Sequence, residues 1–491
     1  LGKPGGVAKH KLSTIMNKSQ LILFLVTFII AISTSSCKDN GSTEPIVSST
    51  VTFTNVGGSD IQSALDFSAE GNTTTLDLVS NSNWSITAKD QWINIAPNSG
   101  NKGRTTITIT ATSNADTLSR STTITATAGT ATATLIVKQA GKHITVDDGH
   151  ESAATAVKNM SPGLNIGNTL DAFGTWLTTS NPLDYELCWG NPAITRELIK
   201  AYASAGFKGI RLPVTWWQKT DSEGNIDTRW MNRVDEVCGW ILDEGMYCII
   251  NVHHDTGADS NAWLYVDRNG TSSATITRFK KLWQQIANAL NHYGEKLIFE
   301  SYNEVLDSNR DWSGTTANGY AIVNELAQAF VDVVRATGGN NATRNISVLP
   351  YSAGCDQARL NAFVVPTDTA QGHLMFSFHN YNPYTFCLSG ENEGMKPQAW
   401  DEATMGAEID ADLARVAGRF ADSGIPVYCG EFGVTASDHT ESDIAKYALY
   451  FAKSAQRNGI AYFYWFDLID RNTYSWTLPS VRDNLLKVAT K

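Results

Sequence analysis

The 491-residue chain predicts an α/β fold, a (β/α)8 TIM barrel over residues 151–491, preceded by a small all-β, immunoglobulin-like sandwich over residues 48–140. Three observations carry this. The length exceeds what one hydrophobic core supports, so at least two units are expected. From Pro162 onward, short β-rich runs alternate with amphipathic stretches, the pattern of parallel βα units. Between Ser48 and Gln139 the composition turns instead to Thr, Ser, Ala and Asn in period-two alternation, as in Thr106-Ile107-Thr108-Ile109-Thr110, which means antiparallel strands.

Residues 1–15 carry only lysine as charged side chains and are read as an upstream remnant outside the fold. From Met16, Lys18 precedes the apolar run Leu21 to Ile32 and then Ser33-Thr34-Ser35-Ser36-Cys37, the layout of a signal peptide and too short to span a bilayer. A cysteine directly after small residues resembles the lipobox of bacterial lipoproteins. That resemblance implies acylation of Cys37, membrane contact only through a lipid anchor, and a place on the bacterial outer membrane; without acylation the protein would be secreted. Lys38-Asp39 resembles the surface-export signal of Bacteroidetes lipoproteins. Loss of residues 1–36 removes four lysines and no acid, taking the net charge from -11 to -15. Residues 37–47 then form a flexible tether.

About seven short strands in about ninety residues fit a β-sandwich. The stretches Asn83-Trp84-Ser85-Ile86, Trp92 to Gly100, Arg120-Ser121-Thr122 and Val137-Lys138-Gln139 resemble the BACON domain over the whole segment. A large aromatic in a small sandwich is more often core than sugar platform, so Trp84 and Trp92 are read as core and the domain as a spacer. Residues 141–150 follow as a linker.

Eight β-rich runs mark the barrel: Gly163 to Asn168, Gly209 to Val214, Tyr247 to His253, Leu297 to Tyr302, Ile346 to Pro350, Leu374 to His379, Val427 to Gly430 and Ala461 to Trp465. Ile276, Phe279, Leu282, Trp283, Ile286 and Leu290 illustrate the helical spacing between them. No Gly-rich phosphate or dinucleotide loop follows any run, which argues against a doubly wound nucleotide fold. Cys188, Cys238, Cys248, Cys355, Cys387 and Cys429 lack zinc-site spacing and are expected as buried free thiols, Cys248 and Cys429 lying inside apolar runs.

Unusual polar residues gather at the carboxyl ends of these runs. Arg211 lies on the second, His253 and His254 end the third, Asn303 and Glu304 follow the fourth, His379 and Tyr381 close the sixth, Glu431 follows the seventh, and Trp465 ends the eighth. Each alone has an ordinary explanation as a helix cap, ion pair or core histidine, but the same placement on six strands points to one pocket at the barrel mouth. Two glutamates there, on the fourth and seventh strand ends, face each other and suit glycosidic bond cleavage with retention, which requires carboxyl groups about 5 Å apart. Aromatic loop residues Trp176, Tyr185, Trp189, Trp216, Trp217, Trp263, Tyr265, Tyr384 and Trp400 would wall an open cleft and favour endo cleavage.

Phe299-Glu300-Ser301-Tyr302-Asn303-Glu304 and Tyr428-Cys429-Gly430-Glu431-Phe432-Gly433 resemble the two catalytic signatures of glycoside hydrolase family 5. Gly163 to Leu170, Cys188-Trp189-Gly190-Asn191-Pro192, Ile210 to Val214 and Asn251-Val252-His253-His254-Asp255 match as well, so the resemblance spans the barrel and is nearest to the endoglucanase and xyloglucanase branch. It implies that Glu304 is the acid/base and Glu431 the nucleophile of a retaining endo-β-1,4-glucanase. Arg211 beside Glu431 would keep that carboxylate ionised, whereas Glu304, in a drier setting facing a like charge, would be raised enough to donate. Asn303 resembles the residue that bonds the sugar 2-hydroxyl, and Tyr381 would donate to Glu431. His253, His254 and His379 would bond substrate or hold the carboxylates; Trp465 would floor the cleavage site, and Trp189 and Asn168, inside family motifs, would bind sugar.

A metal-dependent hydrolase is the rival enzyme, with His253, His254, His379 and Asp255 as ligands, but adjacent histidines without a carboxylated lysine or second cluster do not build that site. No metal or cofactor is expected. A surface glycan-binding lipoprotein with an inactive barrel is the non-enzyme rival, opposed by the intact glutamate pair; an endo-mannanase or xylanase is the rival on the same fold. The net charge of -11 and the lack of a basic stripe argue against nucleic acid. The expected partner of a monomeric protein is a β-glucan polysaccharide.

Overall fold

The computed structural model describes residues 48–488 apart from residues 60, 62–63, 68–70, 116–119, 140–149 and 390–397. Cys37, the signal peptide, the tether and nearly all of the linker lie outside the described residues.

Among its described residues the sandwich contains nine strands where about seven were expected: β1 (Val51–Asn55), β2 (Ala64–Phe67), β3 (Asn72–Ser80), β4 (Trp84–Ala88), β5 (Ile93–Ala96), β6 (Ser99–Gly100), β7 (Gly103–Ala111), β8 (Arg120–Ala128) and β9 (Ala131–Gln139). One sheet has the order β1-β3-β7-β5 and the other β2-β9-β8-β4-β6. Period-two alternation sends Leu78, Ile107, Ile109, Ile124 and Val137 inward, where all are fully buried. Trp84 is core as expected: its indole donates to the Asn101 carbonyl at 3.0 Å and lies so close on Gly100 that a Cβ there would meet the ring at 2.6 Å. Trp92 is only half-buried, with the Arg120 guanidinium 4.6 Å above its ring.

The second half closes as an eight-stranded parallel barrel: β10 (Gly163–Asn165), β11 (Gly209–Leu212), β12 (Tyr247–Ile250), β13 (Leu297–Glu300), β14 (Ile346–Val348), β15 (Leu374–His379), β16 (Val427–Phe432) and β17 (Ala461–Tyr464), with β17 paired back to β10. Most strands stop short of the expected run, because backbone pairing ends where the chain turns away to reach its helix. His253, His254, Asn303, Glu304 and Trp465 therefore lie in the loops beyond the strands. Glu431 does the reverse. It was expected to follow its strand but sits inside β16, where the pairing with β17 slips between Cys429 and Phe432.

Helices pack their apolar stripes on the ring, as where Phe279, Leu282, Trp283 and Ile286 are buried on Ser273–Ala289. Thr195, Asp227, Thr316, Asp401 and Thr440 start five of them by accepting a first-turn N–H, which supplies partners the helix lacks. The helix Ala153–Asn159 buries Ala153, Ala156 and Val157 in one cluster with Ile249, Ile298, Met375 and Phe463, which fills the barrel below the site. The six cysteines of the barrel are free thiols, all buried except the half-buried Cys188.

Phe463 fits only because two strands carry glycine against it: a Cβ on Gly163 would stand 2.2 Å from the ring, and one on Gly209 3.0 Å. Gly163→Ala should therefore destabilise the barrel by about 1–3 kcal/mol through overpacking. Urea denaturation would check this, and an unchanged midpoint would contradict the packing account.

Candidate active site

Two charged residues inside apolar strands organise the mouth. Arg211, in the middle of Gly-Ile-Arg-Leu, and Glu300, at the end of Leu-Ile-Phe-Glu, are both fully buried. Neither can stay charged in such a place without a partner. Arg211 Nε and Nη2 donate to Glu300 Oε1 at 3.0 and 2.7 Å, Nη1 donates to Asn165 Oδ1 at 3.0 Å and Glu431 Oε1 at 2.6 Å, and Nη2 also donates to Asn303 Oδ1 at 2.8 Å. All five guanidinium N–H groups thus have an acceptor. Burial alone would push the Glu300 carboxyl upward, but the Arg211 charge and the hydrogen bonds from Arg211 and Tyr428 hold it below its ordinary value.

Glu431 receives a second donor: the Tyr381 hydroxyl gives its proton to Oε2 at 2.9 Å. Burial, followed by the charges of Glu431 and Glu304, holds the Tyr381 phenol well above its usual range, so it remains a donor. His379 stands between the two carboxylates. Its Nε2 faces Arg211 Nη2 at 3.4 Å, where only a lone pair is tolerable, so Nδ1 carries the proton and donates to Glu304 Oε1 at 2.8 Å, with Glu431 Oε2 at 3.6 Å. Carboxylate oxygens of Glu304 and Glu431 and a ring nitrogen of His379 all lie within 4.8 Å of one another.

The expectation that Glu304 occupies the drier setting is overturned: its side chain is 21% exposed against 6% for Glu431. Glu304 stands four residues past the end of β13, whereas Glu431 is carried by β16 itself.

Asn303 spends its Oδ1 on Arg211, which leaves the Nδ2 protons to point elsewhere. The Asn251 amide lies 3.1 Å from His253 Nδ1 and donates to Glu300 Oε1 at 3.0 Å; with Nδ1 accepting, Nε2 of His253 bears the proton. Burial first, then the charges of His254, Arg211 and His379, push His253 well below its usual value, so the ring stays neutral and stacks on Trp465 with centroids 5.6 Å apart and planes 6° apart. Gly167 allows Trp465 this position, since a Cβ there would meet the ring at 2.9 Å. His254, past the strand end and free of strand alternation, sits edge-on to His253, with Nε2 3.5 Å from Asp171 Oδ2. Trp189 joins this side, 5.3 Å from the His254 ring, held by a 2.7 Å bond from its Nε1 to the Phe173 carbonyl. Asn168 is at the rim, exposed with φ 61°, and its carbonyl accepts from Asn191. Of the expected residues it is the one whose side chain makes no hydrogen bond, ion pair or ring contact with another member of the site among the described residues.

Several aromatic expectations change. Trp216 is no cleft wall: it is fully buried, donating from its indole to the Asn251 carbonyl. Tyr185 is likewise buried, whereas Trp176 at 66% and Tyr384 at 47% are exposed. Asp255 is unsuited to metal binding, because its two oxygens accept from the Trp216 amide at 2.8 Å and the Trp263 indole at 2.6 Å. The residues that the site needs and that sequence reasoning left out of it are Glu300, Asn165, Asn251, Tyr428 and Asp171. A charged side chain within an apolar strand was the available signal for Glu300.

Removing the Glu300 charge tests this arrangement. Because its folded carboxyl is held below the ordinary value, its stabilisation is present above about pH 4.3 and is lost as pH falls through the lowered folded value. Glu300→Gln should cost about 3 kcal/mol at pH 7 by leaving Arg211 undercompensated. Urea denaturation should also show a shallower acid loss in the variant than in the parent.

A family model described as cellulase (glycosyl hydrolase family 5) matches residues 170–467, and one described as BACON, a putative binding domain, matches residues 82–140. Endoglucanase A of Clostridium longisporum is 32% identical over 68% of this chain and 66% of its own length. Endoglucanase A of Ruminococcus albus is 33% identical over 69% of this chain and 93% of its own. Among solved structures, a glycoside hydrolase family 5 enzyme from Prevotella bryantii in complex with a xyloglucan tetradecasaccharide is 37% identical, covering 71% of this chain and all of that one with a TM-score of 0.64. A Bacteroides ovatus family 5 xyloglucanase bound to a heptasaccharide is 26% identical, covers 90% of this chain and 100% of that one, and has a TM-score of 0.63. With the family model matching residues 170–467, more than half of the sequence, and a relative 33% identical over 93% of its own length, the chain belongs to glycosyl hydrolase family 5.

Proposed function

We propose that the protein is a retaining, endo-acting hydrolase of β-1,4-linked glucan backbones, with Glu431 as nucleophile and Glu304 as acid/base. The observation that carries this is the pair of carboxylates meeting within 4.8 Å across the mouth with His379 between them, a gap suited to direct attack at the anomeric carbon and too narrow for the water of an inverting enzyme. Glu431 has both oxygens held, by Arg211 and Tyr381, in a strand-borne position that suits a nucleophile. Glu304, looser and more exposed, suits the group that first gives its proton to the leaving oxygen and then takes one from water. A sugar seated between them would cover the exposed part of Glu304 and shield it from solvent.

The remaining donors converge on that sugar. Asn303 Nδ2 is placed for a 2-hydroxyl, whose hydrogen bond strengthens in the transition state, and His253 Nε2–H for another hydroxyl. Trp465, packed on His253, offers its other face to a pyranose ring. The names of the similar proteins support an unbranched or xylose-bearing glucan main chain as substrate, ahead of mannan and xylan. Glu304→Ala should lower kcat on soluble β-glucan by about 10²–10⁴, and on an aryl β-cello-oligosaccharide, whose leaving group needs no proton, azide should restore turnover with a β-glycosyl azide as product. Glu431→Ala should lose turnover and accept azide only to the α product. NMR of the first-formed reducing end should read β; an α anomer would overturn retention.

Acylation of Cys37 and attachment to the outer membrane belong to the same proposal, supported by the small-residue run before that cysteine. The sandwich then acts as a spacer, and the enzyme as a monomer. Cys37→Ala should move the protein from the membrane fraction to the medium or periplasm; retention in the membrane would overturn the anchor.

A further inference from the structure

Glu304 stands beyond the end of β13, so no strand ladder fixes it. Its two chain neighbours are fixed instead by single backbone bonds. The Asn303 N–H donates to the Val252 carbonyl at 2.9 Å, and the Val305 carbonyl accepts from the Ser352 N–H at 2.9 Å. Ser352 and Ala353 lie just past β14, are buried, and both take left-handed backbone angles, with φ 51° and 50°. Two consecutive residues bearing a Cβ adopt that conformation only where the surroundings enforce it, and such strain gathers at functional sites. Here the Ser352 hydroxyl accepts from Arg359 Nε at 2.9 Å, and the same guanidinium donates to Asp356 and to the Trp312 carbonyl.

The strained turn sets the position of the residue before it. Tyr351 is fully buried, and its hydroxyl accepts from the Asp307 N–H at 3.1 Å and donates to the Asp311 carbonyl at 2.5 Å. One oxygen thus closes the turn that begins three residues after Glu304. Burial pushes the phenol above its usual range, so it remains a donor. On the opposite side the Val266 N–H donates to the Leu306 carbonyl at 3.0 Å, and the Ser308 N–H to the Val266 carbonyl at 2.8 Å. The segment leaving Glu304 is therefore gripped from both flanks, while Tyr351 itself bonds neither glutamate.

We propose that Tyr351, delivered by the strained Ser352–Ala353 turn, is a positioning residue that keeps Glu304 in line with the leaving oxygen. The proposal rests on the glucanase reading above. Its signature is chemical: a misplaced acid slows departure only of a leaving group that needs a proton. The test is Tyr351→Phe, which keeps the ring and leaves the Val266 and Ser352 bonds in place. Ala353→Gly, which relaxes the turn and removes no hydrogen bond, is the second variant, and thermal unfolding is the fold control. The quantity measured is kcat/KM, which covers the steps up to the glycosyl-enzyme, on barley β-glucan and on aryl β-cellotriosides with leaving groups from phenol to 2,4-dinitrophenol. Tyr351→Phe should lose about tenfold on β-glucan and on the phenyl substrate, the order of loss that a small misplacement causes, and stay within about twofold of the parent on the dinitrophenyl substrate. Ala353→Gly should change in the same direction by less, and Glu304→Ala should show the same pattern more steeply. A loss equal across all leaving groups, or none on β-glucan in a folded variant, overturns the positioning role alone. A wild-type protein that cuts neither β-glucan nor the aryl glycosides overturns the glucanase reading and this proposal with it.

Discussion

The guanidinium of Arg211 is wholly enclosed by protein, and its five N–H groups must each find an acceptor there. That requirement ties β10, β11, β13 and β16 together through Asn165, Glu300, Asn303 and Glu431. Lysine could not replace it, because one point charge cannot address a fan of acceptors in a plane. The same constraint orients the chemistry: Asn303 is turned so that its amide protons face the cleft, and His379 must present its lone pair to Arg211 and its proton to Glu304. One buried cation thereby sets the plane of a carboxylate, the rotamer of an amide and the tautomer of an imidazole.

Strand and loop divide the work. Glu431 belongs to a strand held by neighbours on both sides, and the slip in pairing between Cys429 and Phe432 falls around it. Irregular pairing beside an active site re-aims side chains without freeing the backbone. Glu304, Asn303 and the two histidines come from the loops just past strand ends, where water reaches one carboxylate and the chain has latitude to receive a ligand. The difference in exposure between the two glutamates is a consequence of that placement.

Much of this was legible in the residue order. The eight runs and the clustering of polar residues at their carboxyl ends follow from patterning and the known side of such barrels, whereas the pairing of Arg211 with Glu431 and the bond from Tyr381 to Glu431 were what the family resemblance implied. The layer beneath was less legible. Glu300 and Asn165 sit within apolar strands and look, one at a time, like interruptions of the core; only closure of the ring brings them to Arg211. Trp216 and Trp217 are adjacent and chemically identical, yet Trp216 is fully buried and Trp217 only half-buried, because the Trp216 indole turns inward to the Asn251 carbonyl.

The linear chain by itself determined which elements form and which chemical groups reach the barrel mouth, since hydrophobic period and residue type act locally and are carried by the order of residues. Where each strand stops, which carboxylate is dry, which buried polar groups share a counter-ion and which aromatic faces solvent were decided only by the tertiary structure. Those are properties of distances between residues far apart in the chain, as Arg211 and Glu431 are at 220 positions, and desolvation and ion pairing depend on such distances rather than on sequence neighbours.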